Sequence, residues 1–141
     1  MENPLLELQE YENLLEALKK AKGPLQAAGT LESQKVHLMH ELGEDGGFPW
    51  KLVVTYDEQR AKEIYDDFRS FTRQVWLYPA KDLLFYAADI HGNLMTRQRI
   101  SVLRHLMEDE GGVVVTTIDG LMDHLMPLAF LKQHAVTVEC G

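Results

Sequence analysis

Val113-Val114-Val115-Thr116 says more about the fold than any other stretch of the chain. A strand with one wet face alternates apolar and polar residues, whereas an unbroken β-branched run is what a central parallel strand covered on both faces requires. Upstream, Ile100, Leu103, Leu106 and Met107 recur at helical spacing behind Thr96, a candidate cap. Glu108-Asp109-Glu110-Gly111-Gly112 closes that helix. Three acids at a helix C-terminus would oppose the macrodipole, so they are placed in the turn. Downstream, Thr117 caps a helix through Leu125, Pro127 restarts a short helical turn to Gln133, and Ala135-Val136-Thr137-Val138-Glu139 alternates like a final strand.

Further toward the N-terminus, Lys51-Leu52-Val53-Val54-Thr55 reads as a fully buried strand. Thr55 and Glu58 form a capping box for the next helix, whose apolar stripe is Ala61, Ile64, Tyr65, Phe68 and Phe71. Val75-Trp76-Leu77-Tyr78 is a third strand, stopped by Pro79, and residues 80–95 read as a long loop with a short helix. At the start of the chain, Asn3 caps a helix with Pro4 in its first position and Leu8, Tyr11, Leu14, Leu15 and Leu18 inward. Residues 25–28 form a strand, Gly29 to Val36 a turn, and Val36, Leu38, Met39 and Leu42 a second helix, followed by an exposed loop over residues 43–49. Strands alternating with helices imply right-handed crossovers: an α/β fold with a mostly parallel sheet of about four or five strands and helices on both faces.

A length of 141 residues suits one domain. Fourteen Lys and Arg against 22 Asp and Glu give a net charge of −8. That sign argues against autonomous binding to nucleic-acid backbone, though a local basic patch stays open. The single cysteine, Cys140, cannot form an intramolecular disulfide, which fits a reducing compartment. The N-terminus lacks the basic start and apolar core of a secretory signal, and no run approaches the length of a membrane span. The expectation is a soluble, cytoplasmic chain with no membrane partner.

The stretch from Gly29 to Val36 lies where a phosphate loop would lie, between the first expected strand and its helix. A working loop reads Gly, four residues, Gly-Lys-Ser/Thr: backbone N–H groups wrap the phosphates, the lysine reaches the outer ones, and the hydroxyl holds magnesium. Gly29 and Lys35 keep their places. Gln34 stands at the second glycine, Val36 cannot ligate a metal, and Glu32 adds negative charge where an anion would sit. The loop therefore reads as degenerate and non-hydrolysing; weak nucleotide or anion binding through Lys35 and an ordinary strand-to-helix turn remain as alternatives.

Elsewhere the chemistry is sparse. His37 and His40 could share a helix face, but no further ligand completes a metal pattern, and His91, His105, His124 and His134 are scattered singly. No Gly-x-Ser-x-Gly elbow exists, and Cys140 is one residue from the end. Asp66-Asp67 and the acids at 108–110 read as wet surface. Arg97, Gln98 and Arg99 could bind a phosphate or an acidic surface, or could equally satisfy loop carbonyls and helix acids. Trp50 and Trp76 border strands, where packing is the ordinary role.

Over nearly its whole length the sequence resembles the N-terminal domain of the bacterial transcription-repair coupling factor (Mfd) family, which is in turn similar to domain 1a of the excision-repair protein UvrB. The resemblance runs through Pro4-Leu5-Leu6, Tyr11, Leu14-Leu15, Gly29, Leu52-Val53-Val54-Thr55, Tyr78-Pro79-Ala80, Arg97-Gln98-Arg99, Val113 to Thr117, Gly120-Leu121 and Leu125-Met126-Pro127. It rests on the order and spacing of these motifs. It implies a single UvrB-like, helicase-like (P-loop NTPase-like) domain over residues 1–141 whose nucleotide site has decayed. It also implies a longer parent protein, a DNA translocase that removes stalled RNA polymerase and recruits nucleotide excision repair. ATP and magnesium then belong to downstream motor domains, so this domain is expected to be no enzyme and to hold no cofactor or metal. UvrA, RNA polymerase and DNA are partners of the parent. The ends of the strands at Thr55 and Thr117 resemble helicase motifs that flank single strands, but no Asp-Glu box follows. The alternative is a free-standing α/β domain that binds a nucleotide or anion through the residual loop.

Overall fold

The structure, a computed structural model, describes residues 4–80, 90–108 and 110–122 with Leu125, Pro127, Ala129, Phe130 and Gln133; the side chains of Ser33 and of residues 90–95 fall outside the description. The described elements are a 3-10 turn at Pro4–Glu7, α1 (Gln9–Lys20), α2 (Glu32–Asp45), β1 (Trp50–Thr55), α3 (Glu58–Phe68), β2 (Val75–Tyr78), α4 (Ile90–Glu108), β3 (Gly112–Thr117) and α5 (Ile118–Met122). The three strands form one parallel sheet in the order β1-β3-β2.

The run that opened the argument is the central strand. β3 pairs with β1 from Trp50↔Gly112 to Thr55↔Thr117 and with β2 from Val75↔Val113 to Tyr78↔Thr116, and all six of its residues are buried. Its side chains alternate between two cores. Val113 and Val115 pack with Ala61, Ile64 and Phe68 of α3 and with Val36 of α2. Val114 faces the other way, toward Tyr78 and Val102, with Trp50, Trp76, Leu103 and Leu106 around them. The connection from β1 to β2 passes across β3 and the connection from β2 to β3 returns, so right-handed crossovers must place α3 and α4 on opposite faces. The two cores show that arrangement.

Several expectations need correction. The sheet has three described strands, not four or five. Residues 25–28 form no strand: they run unpaired between α1 and α2, and Leu25 is exposed. The final strand expected at 135–139 lies outside the described residues. β1 is an edge strand rather than a fully buried one, because among the described residues nothing pairs on its outer side, and Leu52 and Val54 are exposed. The N-terminal helix is divided into the 3-10 turn and α1, with Leu8 at the N-cap of α1, while Asn3 is outside the description. α2 runs to Asp45 through Gly43, so the expected loop shrinks to the turn at Gly46 and Gly47, where Gly47 has φ +70°. α4 begins at Ile90, so Thr96 lies inside it rather than capping it. Asp57, not Thr55, caps α3, its side chain accepting from Arg60 N at 2.7 Å.

Candidate functional site

The turn before α2 keeps one feature of a phosphate loop, the left-handed backbone of Gly29 at φ +86°. A Cβ at Gly29 would meet nothing within 4 Å. The left-handed turn is itself a reason for glycine at this position.

The other positions of the pattern are engaged within the chain. Gln34 at the second glycine position turns back on the backbone, its Oε1 accepting from Leu31 N at 3.4 Å. That bond satisfies an N–H at the helix start. Val36, at the position of the magnesium-binding hydroxyl, is 2 % exposed and sits in the core against α3. Lys35 donates to the Glu32 carboxylate one turn earlier, and the same carboxylate accepts from Arg60 of α3. Arg60 also binds Glu63 at 3.0 Å. The Lys35 hydrogen bond holds the Glu32 carboxyl below its ordinary range, and the Glu63 bond raises Arg60 above its own. An incoming anion would have to compete with a carboxylate already paired to both cations.

In open α/β sheets, ligands bind beyond the carboxyl ends of the strands. Here that edge is closed by the chain's own side chains. Glu58 Oε1, at the start of α3, accepts from Ala80 N at 3.0 Å and from Thr117 Oγ1 at 3.2 Å. Thr117 Oγ1 in turn accepts from Gly120 N at 3.1 Å, which caps α5 as its position predicts. Thr116 Oγ1 donates to Tyr78 O at 2.8 Å. Glu58, Thr116 and Thr117 thus tie the ends of β2 and β3 to the starts of α3 and α5. Sequence reasoning used Glu58 and Thr117 only as caps and missed that they meet.

Arg97, Gln98 and Arg99 do not join the loop at Gly29 and Lys35, since α4 packs on the sheet face opposite α2 and α3. Arg99 is 7 % exposed, donates from Nη1 to Pro79 O at 2.8 Å and lies 4.3 Å over the Tyr78 ring. It satisfies a loop carbonyl, one of the two roles left open for it. Arg97 and Gln98 are exposed. His37 and His40 share a helix face, as expected, and stack on Phe71 at 5.4 and 5.2 Å. Trp50 and Trp76 pack together at 5.6 Å between ring centres.

A second feature, not anticipated from the sequence, is a cleft of about 460 Å³ between the N-terminal segment and α2, lined by Leu5, Leu8, Tyr11, Leu14, Ala27 and Leu38 among others. Its walls are mostly aliphatic, which suits packing rather than phosphate chemistry. Among the described residues, no helix is long and apolar enough to cross a membrane. No protein-family model, no curated protein and no solved structure matches the chain.

Proposed function

We propose that the chain is a non-catalytic, helicase-like module of the transcription-repair coupling factor kind, a scaffold within a DNA-repair translocase whose ATP hydrolysis resides in other domains. The observation that carries the non-catalytic half of this reading is the state of the former loop. The position that should hold magnesium is a buried valine, and the lysine that should hold phosphate is paired with Glu32. The closed carboxyl edge of the sheet points the same way. The repair half rests on the resemblance of the motifs from Pro4 to Pro127.

Calorimetric titration with magnesium-ATP, wild type beside Lys35→Ala, tests the first half. The expected result is no heat and no change in melting temperature at millimolar nucleotide for either protein. Micromolar binding lost in Lys35→Ala would overturn it in favour of a nucleotide- or anion-binding domain. For the second half, the reading frame of the gene beyond codon 141 should encode motor domains with an intact Gly-x-x-x-x-Gly-Lys-Ser/Thr loop. A stop codon at that point would overturn it.

A further inference from the structure

We propose that His105, Glu108 and Glu110 form a site for a divalent transition-metal cation, of which zinc is the type, clamping the end of α4 to the turn that enters β3. His105 Nδ1 lies 3.0 Å from Glu110 Oε2 and 3.8 Å from Glu108 Oε2, and the three donor atoms fall within 4.8 Å of one another. Ligands held about 2.0 to 2.1 Å from a tetrahedral zinc stand about 3.3 Å apart, so the two histidine–carboxylate separations bracket the spacing that a bound ion imposes. One nitrogen and two carboxylate oxygens form a donor set that suits zinc and its neighbours, with a further position left for water.

The histidine is held in place for this role. Its ring stacks on Trp76 at 4.6 Å and 27°, and only 19 % of its side chain is exposed, which fixes where Nδ1 points. Glu110 is anchored through its backbone, whose carbonyl accepts from Gln74 Nε2 at 3.4 Å. Left-handed Gly111, at φ +73°, follows it at the entry to β3. Glu108 divides its oxygens, Oε1 toward Arg104 Nε at 3.7 Å and Oε2 toward His105. Electrostatics also asks for a cation there. Two carboxylates gather at the negative end of a 19-residue helix, where the macrodipole already disfavours them. Arg104 is the cation paired with Glu108 among the described residues, and it reaches the outer oxygen of one carboxylate only.

The test uses the whole chain without an affinity tag. Zinc is titrated by calorimetry, and cobalt(II) is followed by its visible absorption and by quenching of Trp76, which touches the histidine. The expected result is one equivalent of metal and a higher melting temperature with zinc, since a ligand bound only by the folded state stabilises it. Glu110→Gln, a change at a half-exposed carboxylate that leaves the Trp76 stack intact, should weaken binding by about tenfold or more; losing even a group that only supports a ligand costs that much. His105→Ala should abolish the cobalt bands, while His37→Ala leaves them unchanged. Absence of heat and of visible bands would overturn the proposal. Binding that survives Glu110→Gln undiminished would overturn it as well.

Discussion

A Cβ at Gly112 would stand 2.4 Å from Trp76 Cζ3 and 2.6 Å from the Gln74 carbonyl oxygen, on a backbone at φ +140°. The indole could shift, but the carbonyl belongs to the chain entering β2, and Gly112 N is itself bonded to Pro49 O at 2.7 Å. Gly112→Ala should therefore cost more than about 2 kcal/mol, the left-handed penalty and the clash adding together. Gly23→Ala, where a Cβ meets nothing, should be close to neutral. Urea midpoints of the two variants make the comparison. At Glu32 the relevant variable is pH. The Lys35 hydrogen bond lowers the folded-state pKa of this carboxyl from its ordinary 4.5, so the folded state favours the ionised form. That stabilisation is fully present above 4.5 and is lost as pH falls below it through the folded value. Glu32 is solvent-exposed, so the effect is small. Thermal melts from pH 7 to pH 3 should fall less steeply for Glu32→Gln than for wild type; parallel curves would show that the pair with Lys35 contributes nothing.

At its carboxyl end β3 is joined to β2 and to the start of α3 by side-chain hydrogen bonds. Thr117→Val keeps the shape and the β preference of the residue while removing an acceptor from buried Gly120 N and a donor to Glu58. A buried N–H left without a partner costs about 1 to 3 kcal/mol, and the denaturation midpoint should report a loss of that size. Amide exchange at Gly120 should quicken with it, because this N–H donates to the Thr117 hydroxyl that caps α5. These contacts also mark where sequence reading stops. The central strand was legible because Val113, Val114 and Val115 leave no wet face, and the stripe of α3 because Ala61, Ile64 and Phe68 repeat at helical spacing. Periodicity does not reveal strand partners. The run at 51–55 looks like an interior strand, yet β1 pairs on one side only among the described residues, and its Leu52 and Val54 are exposed. Residues 25–28 stand where a strand would precede a phosphate loop, and position alone does not supply a ladder. The departure from the phosphate-loop pattern is legible at Gln34 and Val36. The pairing of Glu32 with Arg60 is not, because 28 residues separate the partners.

At the scale of the molecule, charge decides what the surface can attract. The net charge of −8 repels nucleic-acid backbone, so binding would need a clustered basic face. α4 carries three arginines, Arg97, Arg99 and Arg104, and two of them are already engaged. Arg99 is buried beneath Tyr78 and bound to Pro79 O, and Arg104 pairs with Glu108, which leaves Arg97 exposed toward the N-terminal part of the helix. On α3, Arg60 is held between Glu32 and Glu63. Non-specific binders reach dissociation constants of about 10⁻⁴ to 10⁻⁶ M at physiological salt by releasing counterions from several phosphates at once. Neither the arginines of α4 nor Arg60 of α3 supply such a set. Fluorescence anisotropy with a single-stranded and a duplex oligonucleotide should show no binding up to about 10⁻⁴ M protein at physiological salt, and lowering the salt should produce no steep gain. A dissociation constant in the micromolar range that weakens sharply with added salt, and that Arg97→Ala relieves, would show that this module grips DNA directly. The scaffold reading would then give way to one in which α4 lies along the phosphate backbone.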